Sequence, residues 1–172
     1  NNRRPKSGTT INGLGSIDFA VGHRLDSSGN PLGSNGDTLE DSALYIVYQL
    51  QSNGLRQSIF NNGANWRSHG PWTNGYVYWD VGAGTGYRLQ AANWALAGET
   101  LIGMWYSSST ENVQQVWKNG RLYATDDSSV PTSITGDFIL GQSNLNAAVG
   151  ELILIKGTLP EALCRPFASA PR

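Results

Sequence analysis

The chain has 172 residues, with 12 Lys and Arg against 13 Asp and Glu for a formal net charge of -1. That length suits one domain able to bury its own core, and the balanced charge excludes the footprint of a nucleic-acid binder or a polybasic membrane surface. The single cysteine, Cys164, excludes an internal disulfide and reads as a small apolar filler rather than a nucleophile.

No apolar run reaches the ~20 residues of a membrane span, and no charged start followed by an apolar stretch reads as a signal peptide. The start at Asn1-Asn2, without Met, is what a processed form or a piece of a longer protein would show.

In chain order, Asn12-Gly13 and Gly15 supply turn chemistry ahead of a strand at Ile17-Asp-Phe-Ala-Val21, whose alternation puts Ile17, Phe19 and Val21 on one side. Residues 26–41 are rich in Ser, Gly, Asn and Asp, a loop of more than ordinary length. Residues 44–50 read as a strand with both faces partly apolar, which fits the centre of a sheet. Short extended pieces follow at Ser58-Ile-Phe60 and Trp66-Arg67.

The segment from His69 to Gly82 enters an aromatic strand through a Gly and Pro turn. It places Val77, Trp79 and Val81 on one face and Tyr76, Tyr78 and Asp80 on the other, as a sheet with one buried side requires. Gly82, Gly84 and Gly86 lead into an extended run over 87–90; with no helix or Lys-Ser/Thr following them, they read as a loop, not a phosphate cradle. A buried-type strand is expected over 100–106. Residues 113–117 and 121–124 flank Asn119-Gly120, a hairpin signal because both central turn positions need positive φ. Strands over 137–140 and 149–156 complete the set, and Pro160-Glu-Ala-Leu163 is the one plausible helical turn. Turn signals every ten or so residues favour an antiparallel two-sheet β-sandwich or jelly roll over βαβ units.

The run from His69 to Gly82, the hairpin Trp117-Lys-Asn-Gly-Arg-Leu-Tyr123, and the ending Gly150-Glu-Leu-Ile-Leu-Ile with Leu159-Pro-Glu-Ala-Leu163 resemble a concanavalin A-like, laminin-G-like jelly-roll domain. The version they are most similar to occurs in bacteriophage and prophage virion proteins. Arg3-Arg4-Pro5, Ile11-Asn-Gly-Leu and Ile17-Asp-Phe19 look like that domain's opening segment. The resemblance implies an all-β sandwich over 11–163, with 1–10 as an extension or linker and 164–172 as a tail. It also implies a location on a virion or, alternatively, secretion.

Chemistry narrows the function. Retaining glycoside hydrolysis needs two carboxyl groups only ~5 Å apart, which i and i+2 on one strand provide. No two acidic residues of this chain are separated by two; Glu40-Asp41 and Asp126-Asp127 are adjacent and loop-like. Asp80 reads as a solvated or hydrogen-bonded sheet residue. His23 and His69 lie at no metal-ligand spacing, His69 reads as holding its turn through a backbone hydrogen bond, and no Gly-x-Ser-x-Gly elbow appears. The chain is therefore expected not to be an enzyme, with a degenerate glycoside hydrolase or lyase the weakest alternative. Asp26, Asn30, Asn35 and Asp37 offer oxygen ligands, but their spacing matches no defined calcium loop and Asx residues in turns bond their own backbone. No metal or cofactor is expected, and calcium is kept as the alternative.

Binding is what is left. Six Trp and seven Tyr exceed what a small sandwich core needs. Trp66, Arg67, Trp72, Trp94 and Tyr106 are the candidate ligand-binding residues, because an aromatic ring can stack on the apolar face of a sugar while Asn and Arg read its hydroxyls. Trp79 and Trp117 are assigned by alternation to the core or to sheet packing. The expected function is a non-enzymatic virion module for attachment to a host-surface glycan or for decoration of the particle. The alternative is a secreted bacterial carbohydrate-binding module. The expected partners are a surface glycan or other virion subunits, with a homo-oligomer allowed.

Overall fold

The computed structural model describes residues 6–11, 13–52, 57–62, 66–82, 87–129, 131–141 and 144–159. Every regular element among them is a strand: β1 (Lys6–Ile11), β2 (Leu14–Phe19), β3 (Leu25–Asp26), β4 (Thr38–Leu39), β5 (Asp41–Leu50), β6 (Ser58–Asn62), β7 (Trp66–His69), β8 (Val77–Val81), β9 (Arg88–Ala91), β10 (Thr100–Ser108), β11 (Val113–Lys118), β12 (Arg121–Asp126), β13 (Thr132–Ser133), β14 (Phe138–Leu140) and β15 (Ala147–Lys156). Pro160 to Leu163, Cys164, Gly84 and Gly86 lie outside the described residues.

Two antiparallel sheets face each other. One has seven strands in the order β1-β2-β15-β5-β10-β11-β12, and the other six in the order β3-β14-β6-β7-β8-β9; β4 and β13 pair separately. The order is non-sequential, as in a jelly roll, so strands far apart in the chain lie side by side. β5 is central because its neighbours β10 and β15 both pair with nearly its full length, from Thr100↔Gln49 to Ser108↔Asp41 and from Ala147↔Leu50 to Lys156↔Ser42. A bulge at Gly150 shifts the register of β15, so Val149 opposes Tyr48 and Glu151 opposes Val47. The Asn119-Gly120 turn is the expected hairpin, with φ of 51° and 76° between Lys118 and Arg121.

The core sits between the sheets. From the seven-stranded sheet come Phe19, Leu44, Ile46, Tyr48, Leu50, Leu101 and Trp105; from the other come Phe60, Trp66, Val77, Trp79, Val81, Phe138 and Leu140. Phe60 meets Trp105 edge-on across the gap at 5.4 Å. Gly103 makes room for this large ring: a Cβ there would lie 2.6 Å from the Trp105 indole. Trp94 Nε1 donates to Tyr48 Oη at 2.5 Å, while Trp66, Trp79 and Trp105 bury their indole nitrogens with no hydrogen-bond partner among the described residues, a cost offset by the area of ring each removes from water.

Candidate site on the six-stranded sheet

Alternation on β8 sends Val77, Trp79 and Val81 into the core and leaves Tyr78 and Asp80 on the outer face of the six-stranded sheet. Strand pairing then chooses their neighbours. Arg67 on β7 and Arg88 on β9 lie opposite Asp80, one on each side, and His69 and Gln90 flank Tyr78 in the same way. The outer face thus carries two rungs, Arg67–Asp80–Arg88 and His69–Tyr78–Gln90.

In the first rung the Asp80 side chain is wholly buried, whereas those of Arg67 and Arg88 are 32 % and 30 % exposed. Arg67 Nε donates to Asp80 Oδ2 at 3.0 Å; Arg88 grips both oxygens, Nε to Oδ1 at 2.5 Å and Nη2 to Oδ2 at 2.8 Å. Burial alone would raise the Asp80 pKa, but the hydrogen bonds from Arg88 and Arg67 and their positive charge outweigh it, and its carboxyl lies below the ordinary carboxylate value. Asp80 is therefore an ionised anchor under two guanidinium groups, and the rung carries one net positive charge at the surface. Such an arrangement orients planar N–H forks for an anion or for sugar hydroxyls.

The second rung is aromatic. Arg88 lies over the Tyr78 ring at 5.0 Å, and Tyr76 stacks on Tyr78 at 5.9 Å. Trp72, on the turn between β7 and β8, meets Tyr78 edge-on at 5.8 Å and His69 at 4.9 Å. That turn is held by Trp72 N to Tyr76 O and Gly75 N to Trp72 O, and Asn74 Nδ2 donates to Tyr78 Oη at 2.7 Å. His69, nearly buried, shares a 2.9 Å hydrogen bond between Nδ1 and Ser58 Oγ.

Of the five residues expected from the sequence, the structure brings Arg67 and Trp72 to this face. The other three need correction. Trp66 and Trp94 are wholly buried, Trp66 against Phe60 at 4.7 Å and Trp94 against Trp105 at 5.5 Å, so neither presents a ring to a ligand. Tyr106 is also buried, on the outer side of the seven-stranded sheet, in a small cluster with Ala43, Met104 and Leu159; its hydroxyl donates to Glu111 Oε2 at 2.7 Å. β7 and β10 run through Trp66 and Tyr106, as the extended pieces expected there imply, and pairing, which the sequence does not show locally, decides which face each ring takes. Asp80, Arg88 and Tyr78 were missed as a group. Alternation along 76–80 and 88–90 carried half of that signal; the other half, which strands are neighbours, is not local.

The oxygens of the long loop are taken up by hydrogen bonds and one ion pair. Asn30 Oδ1 accepts from Leu32 N, Asn35 Oδ1 from Gly136 N and Asp37 Oδ2 from Ser34 N, while Asp26 pairs with Arg24 at 3.0 Å. Among the described residues no three His, Cys, Asp or Glu side chains converge as a metal site. A shallow groove of about 340 Å³ on the opposite sheet is lined, among the described residues, by Ile11, Leu14, Val47, Gly150 and Glu151, which offer it no aromatic platform and one charge.

No protein-family model matches the sequence, and a comparison with curated proteins finds no match. Solved structures do match. The CBM40 domain of a Ruminococcus gnavus IT-sialidase, solved with α2,3-sialyllactose, aligns with a TM-score of 0.68 at 17 % identity, covering 87 % of this chain and 94 % of that one. A leech intramolecular trans-sialidase aligns with a TM-score of 0.69 at 14 % identity over 99 % of this chain and 28 % of that one. An SAP-like pentraxin from Limulus polyphemus aligns at 0.63 and 12 % identity, covering 96 % and 81 %. The chain accordingly has the concanavalin A-like jelly-roll fold.

Proposed function

We propose that this chain is a non-enzymatic glycan-binding module whose binding surface is the outer face of the six-stranded sheet, and that the sugar it holds carries a carboxylate. The observation that carries this reading is the Arg67–Asp80–Arg88 rung: two partly exposed arginine side chains whose guanidinium groups are fixed from below by a buried carboxylate, beside an aromatic ring. Asp80 neutralises one guanidinium and leaves one positive charge, which suits a single carboxylate bound in bidentate fashion. The wholly buried Asp80, held by three hydrogen bonds from arginines, is placed as an orienting group rather than as a proton donor. Similarity in fold to a domain solved with sialyllactose supports the choice of ligand class. The virion setting implied by the sequence resemblance makes the module an attachment device for a particle; the fold neighbours favour instead a module serving a sialidase-type enzyme. Both use the same surface.

The test is a glycan array followed by titration with 3′-sialyllactose and lactose. Sialyllactose should bind selectively, Arg67→Ala and Arg88→Ala should each weaken it at least tenfold, and affinity should fall with added salt as a screened charge contact requires. Equal binding of lactose and sialyllactose, or none of either together with a blank array, overturns the reading.

A further inference from the structure

The two rungs differ in chemistry, and the difference has a direction along the sheet. Same-face positions on a strand are two residues apart, roughly 7 Å, so Tyr78 sits about one sugar residue along β8 from Asp80. The first rung is charged. The second is aromatic: Tyr78 lies in the middle, its hydroxyl bonded by Asn74, its ring flanked by Trp72 and Tyr76 and with the Arg88 guanidinium over it at 5.0 Å. Gln90, exposed beside Tyr78, supplies an amide with both donor and acceptor capacity.

We infer that the aromatic rung is a second subsite, which seats a neutral pyranose joined to the acidic sugar held by Arg67 and Arg88. The inference rests on the proposed function of the first rung. A neutral pyranose has an apolar C–H face and a hydroxylated rim; the half-exposed rings of Tyr76, Tyr78 and Trp72 match the first and Gln90 the second. Charge complementarity sets the order, with the acid over the net positive rung, where the guanidinium groups of Arg67 and Arg88 meet Asp80, and the neutral sugar over the aromatic rung. The Trp72 turn stands beside Tyr78 at the end of this track, edge-on to its ring, and so limits the track to about two residues. The ligand is thus read as a disaccharide unit, acid first, rather than as a free acidic monosaccharide.

Titration of the intact chain with methyl α-sialoside, 3′-sialyllactose and lactose tests this. Sialyllactose should bind at least tenfold tighter than the methyl sialoside. Tyr76→Ala and Gln90→Ala should lower sialyllactose affinity toward that of the methyl sialoside while leaving the methyl sialoside unchanged. Equal affinity for the two acidic probes in the unaltered chain overturns the second subsite and leaves the acid-binding rung standing. Variants that weaken both probes alike overturn it too. Failure of both acidic probes to bind removes the first rung's function and this inference with it. The comparison of probes in the unaltered chain needs no variant to fold, and Gln90, exposed on β9, gives a substitution outside the packed turn.

Discussion

Replacing Asp80 with Asn removes the charge on which the outer rung is built. The carboxylate is wholly buried and accepts from Arg67 Nε and from Arg88 Nε and Nη2 at 3.0, 2.5 and 2.8 Å. Hydrogen bonds to ionised groups contribute about 1.5–3 kcal/mol each, and removing one partner of a buried pair costs about 3–5 kcal/mol. Two features reduce that figure here: the amide keeps one acceptor oxygen, and the arginine side chains, 32 % and 30 % exposed, let their guanidinium groups regain water. The expected loss is about 2–3 kcal/mol, or about 4–12 °C in Tm for a chain of this size. Denaturant unfolding followed by Trp fluorescence, with and without the substitution, measures it. The pH dependence has a definite sign. Burial opposes ionisation of Asp80, but the bonds from Arg88 and Arg67 outweigh it and its folded pKa is depressed. Its stabilisation is therefore complete above the unfolded pKa of about 3.9 and is lost as pH falls through the folded value. The gap between the two proteins should be flat between neutrality and about pH 5 and should close below about pH 4. A loss under about 0.5 kcal/mol at neutral pH, within the range of ordinary surface changes, or a gap that persists in acid, would refute the ionised anchor.

Other substitutions probe packing and turn chemistry. Gly103→Ala should destabilise by about 1–3 kcal/mol, since its Cβ would lie 2.6 Å from the Trp105 ring, whereas Gly150→Ala, 3.6 Å from Ile11 Cδ1, should change Tm little or raise it. Trp66→Ala should cost about 3–5 kcal/mol in denaturant unfolding, while the fraction still folded binds 3′-sialyllactose with unchanged Kd. Asn119 combines φ of 51° with a 2.8 Å bond from Ile102 N to its Oδ1. Asn119→Ala should therefore lose about 2 kcal/mol, roughly half from the left-handed backbone and half from the bond. Asn119→Gly should lose only the second part; equal losses in thermal melts would show that the backbone conformation contributes nothing.

Much of the sandwich was legible because its signals are local. The Asn119-Gly120 turn has positive φ at both positions, and Asn has the short polar side chain that tolerates it. The two-sided apolar character of 44–50 announced a central strand, and β5 lies between β10 and β15. Residues 6–10, which fall in the expected extension, form most of β1 and pair with β2. Their run of Lys, Ser, Gly and Thr has no apolar alternation to mark it as a strand. The short strands β3, β4 and β13 were hidden for a similar reason, since two residues carry no periodicity.

By itself the sequence determined the fold class, the hairpin, and the division of β8 into a core face and an outer face, because turn preferences and the period of two are set by each residue's own chain neighbours. Arg67 and Trp72 were singled out by residue type alone, and the structure puts both on the outer face of the six-stranded sheet. What only the tertiary structure decided is which strands became neighbours. Arg67, Asp80 and Arg88 are separated in the chain by 13 and 8 residues and meet because β7, β8 and β9 pair in one register; a slip of one residue would send Arg67 or Arg88 into the core. Composition also could not tell a ring in the core from a ring at the surface. Trp66 and Trp94 vanish between the sheets while Trp72 stands over the outer face, because burial depends on what the opposite sheet brings to each position.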